Sequence, residues 1–236
     1  PRGRYTALGG SAAYTSIVAA RLGLRVGIVS KVGRDFKKEY LEILEEEGID
    51  LEGLHIGEEA NTTSFTNRYD ASEERGQLLT QLCDDIEVED IPRPYLDAKC
   101  FHFGPIFHEI PYSLVERVKD SAALTSLDLQ GYCRRVVGGR VFPSPPTREE
   151  RRVIPYIDVV KGSGEEVSLT AGREGLEEAL KELGEETRSK IAIATLSWKG
   201  SLLYYEGVLE RIPPYQPVKV LDPTGAGDAY LSLIHI

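Results

Sequence analysis

Glu174-Gly175-Leu176-Glu177-Glu178-Ala179-Leu180-Lys181-Glu182-Leu183, followed after a short polar stretch by Ile191-Ala192-Ile193-Ala194-Thr195-Leu196, sets the architecture. Leu176, Leu180 and Leu183 fall on one face of a helix whose other positions are largely charged. The second run is short and apolar without alternation, as a strand buried in a covered sheet requires. On either side the same rhythm recurs. An Ala-rich helix from Ala12 to Leu22 precedes a strand at Arg25 to Val29, and Phe36, Tyr40, Leu41 and Leu44 space a helix that stops at Gly48. Strands are expected at Cys100 to Phe103, Leu124 to Leu129 and Ile157 to Lys161, with a helix from Tyr112 to Ala122. Strands alternating with helices imply a mostly parallel α/β sheet, whose ligands collect at the carboxyl ends of the strands. Two segments break the rhythm. Thr62 to Tyr69 and Gln77 to Leu82 flank a turn-like Asp70 to Gly76 and read as a hairpin of a small accessory sheet; Leu202 to Tyr205 with Val208 to Ile212 reads as a second hairpin.

Composition narrows the function. The chain has 236 residues, 28 basic and 38 acidic side chains and a formal charge of −10. No basic stripe suited to nucleic acid is present, and no apolar run approaches a membrane span of roughly 20 residues. The start, Pro1-Arg2-Gly3-Arg4-Tyr5, lacks the apolar segment of a signal peptide, and three separated cysteines fit neither a disulfide framework nor a zinc site. A cytoplasmic protein with reduced thiols, acting on small molecules, is expected.

Two glycine-rich loops offer chemistry. Gly9-Gly10-Ser11-Ala12-Ala13-Tyr14 enters a helix, where backbone N–H groups can meet a ligand; such a pair is also an ordinary tight turn. Neither a dinucleotide fingerprint nor a P-loop occurs. In Asp222-Pro223-Thr224-Gly225-Ala226-Gly227-Asp228, successive N–H groups of Gly225, Ala226 and Gly227 can hold an anion at a helix start. Asp228 beside them can take a proton from a hydroxyl during phosphoryl transfer, or simply complement the helix dipole; the segment alone leaves both open.

Together, Gly9 to Tyr14 with Val32-Gly33-Arg34-Asp35, and Asp222 to Asp228 near the other end, resemble the two signatures of the ribokinase-type (PfkB) carbohydrate and nucleoside kinases. The resemblance implies a three-layer ribokinase-like α/β fold with a β-sheet lid, part of it residues 60–83. It also implies transfer of the γ-phosphoryl group of ATP, with Mg²⁺, to a substrate hydroxyl. Asp228 would then be the general base, with Gly225, Ala226 and Gly227 as the anion hole. Lys161-Gly162-Ser163-Gly164-Glu165-Glu166 stands where the family carries N-x-x-E, with Ser163 for the Asn; Glu166 would orient magnesium-bound water and Lys161 would reach a nucleotide phosphate. Thr195-Leu196-Ser197-Trp198-Lys199-Gly200 resembles the nucleotide-side T-x-G-x-x-G turn, with Ser197 for the first Gly. The nucleotide set is therefore Lys161, Ser163, Glu166, Thr195, Ser197, Gly200 and Thr224. The acceptor set is Gly9, Gly10, Tyr14, Gln130 and Arg134, although Tyr14 stands where sugar kinases often have Asn.

Asp128-Leu129-Gln130-Gly131-Tyr132-Cys133-Arg134 resembles the D-x-Q-G-x-x-R segment of archaeal and plant inositol-kinase-like members, which makes myo-inositol the favoured acceptor. A nucleoside kinase and a non-catalytic ligand-binding relative are the alternatives. Self-association through exposed lid edges to give a homodimer is a further expectation. The early Gly9 and the absence of Met imply a single kinase domain over 1–236 that is incomplete at both ends, with 232–236 resembling a non-native tail.

Overall fold

A computed structural model describes residues 6–69, 75–121, 123–215 and 225–232 of the chain. In chain order the elements are α1 (Ser11–Arg21), β1 (Gly27–Gly33), α2 (Lys38–Glu46), β2 (Asp50–Gly57), β3 (Ser64–Tyr69), β4 (Arg75–Gln81), β5 (Cys100–Phe103) and α3 (Tyr112–Val118). They continue with β6 (Leu124–Asp128), β7 (Arg134–Val137), β8 (Arg140–Pro143), α4 (Arg148–Arg151), β9 (Val159–Ser163), α5 (Gly164–Ala171) and α6 (Leu176–Glu186). Last come β10 (Ile191–Thr195), β11 (Ser201–Tyr205), β12 (Val208–Ile212) and α7 (Ala226–Ser232).

The central sheet runs β12-β11-β10-β9-β6-β5. Its strands β5, β6, β9 and β10 are parallel, and the hairpin β11–β12 adds an antiparallel edge. The sheet is therefore mixed, parallel where it is most deeply buried. Val160, Ala192 and Ala194 pack in one core with Val167 of α5 and Ala179, Leu180 and Leu183 of α6, all fully removed from water. Leu180 and Leu183 thus bury the face that their spacing assigned, each at a gain of roughly 1.5–3 kcal/mol.

A second, smaller core joins α1, β1, α2 and β2 through Ala13, Ile28, Leu44 and Ile49. Strands β1 and β2 pair in parallel as a two-stranded sheet. The accessory sheet has four antiparallel strands in the order β3-β4-β8-β7. Its hairpin β3–β4 forms where alternation placed it. Strand β2 and the β7–β8 hairpin are additions, because Asp50, Glu52 and His55 in one and Arg134, Arg135 and Arg140 in the other hide the strand period. Among the described residues no helix is long and apolar enough to cross a membrane.

Candidate active site

Parallel strands present their carboxyl ends at one edge of the sheet, and charge collects there. Strand β6 ends at Asp128 and its register partner on β9 is Lys161. Lys161 Nζ donates to Asp128 Oδ2 at 2.6 Å with both side chains buried. The Gln130 amide donates to Oδ1 at 3.0 Å, so this acid is held from two sides. Lys161 also reaches the start of α7: a Cβ on Gly227 would lie 3.1 Å from its Nζ. Next to it, Asp228 accepts a hydrogen bond from Ser11 Oγ at 2.6 Å on Oδ1. Burial pushes the Asp228 carboxyl above its ordinary range and the Asp128 charge adds to the rise, while Ser11, Lys161 and Arg134 oppose it.

The residues expected on the acceptor side are held by close backbone approaches. Gly10 adopts φ 93° at the entry to α1, a conformation that favours glycine, and faces Ile106 on the loop after β5. Gly9 has open space around its Cα. Gly131 abuts the same loop so tightly that a Cβ would sit 2.3 Å from the Pro105 carbonyl. Gln130 is half-buried beside it. Arg134 Nη1 donates to Ile106 O at 2.8 Å, and its guanidinium lies 5.1 Å from the Phe65 ring centroid, so this side chain links the post-β5 loop to the accessory sheet. Beneath it His108 pairs with Glu150, and Glu109 accepts the Ile106 and Phe107 amides at 2.7 Å each. Tyr14 covers Gly225, whose φ is 78° and whose Cβ would strike the tyrosine ring at 2.8 Å. Tyr14 therefore packs on the glycine-rich loop that leads into α7.

Among the residues expected on the nucleotide side, Ser163 and Glu166 form a reciprocal capping box at the start of α5. Ser163 Oγ accepts the Glu166 amide at 3.2 Å and Glu166 Oε2 accepts the Ser163 amide at 2.6 Å. Burial and the nearby Asp128 push the Glu166 carboxyl up, against the opposing Ser163 and Lys161. Thr195 ends β10 in register with Ser163 and Ser201, its hydroxyl donating to Gly162 O at 3.3 Å. Ser197 takes φ 54° and Gly200 φ 89°, where a Cβ would meet Ile212 O at 2.1 Å. Trp198 between them is 77% exposed. Thr224 lies outside the described residues.

Magnesium takes hard oxygen ligands, commonly one or two carboxylates completed by water and phosphate. Glu166 fits such a role: among the described residues only its Oε2 is engaged, and a cation would favour its charged form. No group of three or more His, Cys, Asp or Glu suited to a metal occurs among the described residues. Nucleotide phosphates would have to complete the shell.

The fold thus gathers Gly10, Tyr14, Gln130, Arg134, Lys161, Ser163, Glu166, Gly225, Gly227 and Asp228 around the ends of β5, β6, β9 and β10. Ser11, Gly104 and Asp128, the charge partner of Lys161, stand inside sequence motifs that give them no site role of their own. The Ser163-x-x-Glu166 spacing does carry its own capping signal; the Lys161–Asp128 pair carries none, since only the sheet register joins residues 33 apart.

The chain is similar in sequence and in fold to known kinases. The family model described as pfkB family carbohydrate kinase matches residues 4–234. The cytidine kinase of Thermococcus kodakarensis is 30% identical over 242 residues, which span 96% of this chain and 78% of that relative. A pyrophosphate-dependent kinase in the ribokinase family, complexed with a pyrophosphate analog and myo-inositol, has a TM-score of 0.82 at 20% identity and covers 98% of this chain and 78% of its own. A fructokinase from Vibrio cholerae O395 in its fructose, ADP and calcium ion bound form has a TM-score of 0.74 at 22% identity and covers 98% and 77%. With these two structures the likeness is one of fold.

Proposed function

The chain belongs to the pfkB family of carbohydrate kinases, and on that basis we propose that it moves the γ-phosphoryl group of ATP to a hydroxyl of a polyol or sugar, myo-inositol foremost, with Asp228 as general base. The observation that carries this reading is the position of Asp228. It sits at the first turn of α7, beside Gly225 and Gly227 and the buried Lys161, with only one carboxylate oxygen engaged among the described residues. Oδ2 accepts the proton of the acceptor hydroxyl as that oxygen attacks phosphorus. The amides of Gly225, Ala226 and Gly227 face the transferring group, and Lys161 adds positive charge beneath Gly227. Ser163, Glu166, Thr195, Ser197 and Gly200 line the donor side, to which Thr224 is assigned by its motif alone, while Gly9, Gly10, Tyr14, Gln130 and Arg134 border the acceptor. Mg²⁺ held through Glu166 neutralises phosphate charge when bound.

A nucleoside acceptor is the second reading, favoured by the cytidine kinase relative at 30% identity. Measuring ATP turnover with myo-inositol, ribose, fructose, adenosine and cytidine separates the two. Turnover on cytidine without turnover on myo-inositol replaces the first acceptor by the second. On whichever acceptor is used, Asp228→Asn is expected to lower kcat about a thousandfold. Parental turnover in that variant would remove Asp228 as base.

A further inference from the structure

We propose that Ser11 and Thr15, one turn apart on α1, are positioning residues that lock Asp228 by side chain and main chain and leave one carboxylate oxygen to the acceptor. This rests on Asp228 being the base of the proposed reaction. Helix α1 buries Ser11, Thr15 and Ser16 where a helix packed into a core ordinarily carries apolar residues. Buried hydroxyls cost free energy unless they are bonded. Two of the three point to one residue: Ser11 Oγ donates to Asp228 Oδ1 at 2.6 Å, and Thr15 Oγ1 donates to the Asp228 carbonyl at 3.3 Å. Spacing of four places both hydroxyls on one face of α1, the face against α7. One bond fixes the carboxylate and the other fixes the turn that bears it.

Gly104 after β5 makes room for this arrangement. A Cβ there would stand 2.7 Å from Ser11 Oγ, 2.9 Å from Ser11 Cβ and 3.1 Å from His102 Nε2. Any side chain at 104 would displace the hydroxyl that holds Asp228. The charged and titratable groups facing this carboxylate are Asp128 at the end of β6, Lys161 on β9 and Arg134 at the start of β7; His102 on β5 lies behind Ser11. Of the described residues, Ser11 alone donates a side-chain hydrogen bond to the carboxylate. Removing that donor therefore disfavours the charged form and moves the titration of Asp228 to higher pH.

The experiment uses Ser11→Ala, Gly104→Ala and Thr15→Val in the full chain. Two readouts are taken: the carboxyl-carbon NMR titration of Asp228, assigned by its loss in Asp228→Asn, and the pH profile of kcat/KM on the best acceptor of the panel. Ser11→Ala is expected to raise the midpoint by about half a unit to one unit, shift the acidic limb the same way, and lower kcat about tenfold with little change in KM. Gly104→Ala should move both readouts in the same direction, which keeps the proposal testable if Ser11→Ala folds poorly. Thr15→Val should lower kcat about threefold and leave the midpoint in place. An unmoved midpoint in both Ser11→Ala and Gly104→Ala overturns the lock, whatever Asp228 does in catalysis. If instead Asp228→Asn keeps its turnover, the base reading falls, and the NMR midpoint still decides whether Ser11 holds the carboxylate.

Discussion

Each end of the central sheet has an aspartate beside it, Asp158 buried and Asp228 half-buried, and the two are treated in opposite ways. Asp158, just before β9, accepts hydrogen bonds from the Thr125 amide and hydroxyl, from Ser189 Oγ at 2.6 Å and from Arg188 Nε at 2.8 Å. Its carboxyl feels burial upward, yet Arg188, Ser189 and Thr125 outweigh it and hold the group below its ordinary range. Asp228, at the other edge, has one side-chain donor among the described residues, and burial together with Asp128 leaves it raised. Asp158 is the less exposed of the two, yet Asp228 carries the raised carboxyl, so donor supply rather than exposure separates them. A saturated carboxylate is inert scaffold, whereas an undersupplied one keeps an affinity for a proton.

Removing the cation from each end breaks this comparison most severely. Lys161→Met strands Asp128 in the interior with only the Gln130 amide, at an expected cost of about 3–5 kcal/mol in urea unfolding. Arg188→Met leaves Asp158 with the Thr125 and Ser189 donors, so the expected loss is about 1–2 kcal/mol. Equal losses would mean that the strand ends do not differ in how their charge is supported. Adding Asp128→Asn to Lys161→Met should restore a large part of the first loss, because the pair rather than either charge fits the interior.

How much of this was readable beforehand follows from distance along the chain. The run Ile191 to Thr195 and the strand Cys100 to Phe103 form where their apolar residues placed them, since each depends on its own composition. The local motif ending in Asp228 likewise carries its turn chemistry in adjacent glycines. The groups that tune the site do not. Ser11 and Asp228 lie 217 positions apart, and Asp128 meets Lys161 only through the β6–β9 register. Local periodicity holds no information about such contacts. Strands β2 and β7 escaped notice for another reason: charged residues at their exposed positions mimic a loop.

Stability as a function of pH sharpens the contrast with neutral isosteres. A carboxyl depressed in the fold, as Asp158 is, contributes stability above its unfolded pKa and loses it as pH falls through the folded value. A raised one, as Asp228 is, costs stability once it ionises and costs nothing when protonated in both states. Asp158→Asn should therefore lower Tm at pH 7, by the equivalent of about 2 kcal/mol, with the deficit shrinking as pH falls through the folded value. Asp228→Asn should raise Tm at pH 7, with the gain vanishing in acid. Two shifts of the same sign at pH 7 would end the distinction.

Backbone strain, by contrast, does not distinguish the two ends. Ser197, after β10, and Lys190, before it, take φ 54° and 53°, left-handed values that glycine adopts freely. Ser197→Gly and Lys190→Gly are each expected to raise stability by up to about 1 kcal/mol. Lys190→Gly also gives up the exposed Lys190–Glu185 contact at 3.1 Å, so its net gain should be the smaller. Their effects on turnover should diverge. Ser197 occupies the first glycine of the T-x-G-x-x-G turn on the proposed nucleotide side, so its variant is expected to change KM for ATP about twofold to threefold. Lys190 lies at the edge where Asp158 is fully supplied, and its variant should leave KM alone. A KM change in Lys190→Gly equal to that in Ser197→Gly would show that the strand ends are coupled through β10, and the separation between scaffold edge and chemical edge would then have to be given up.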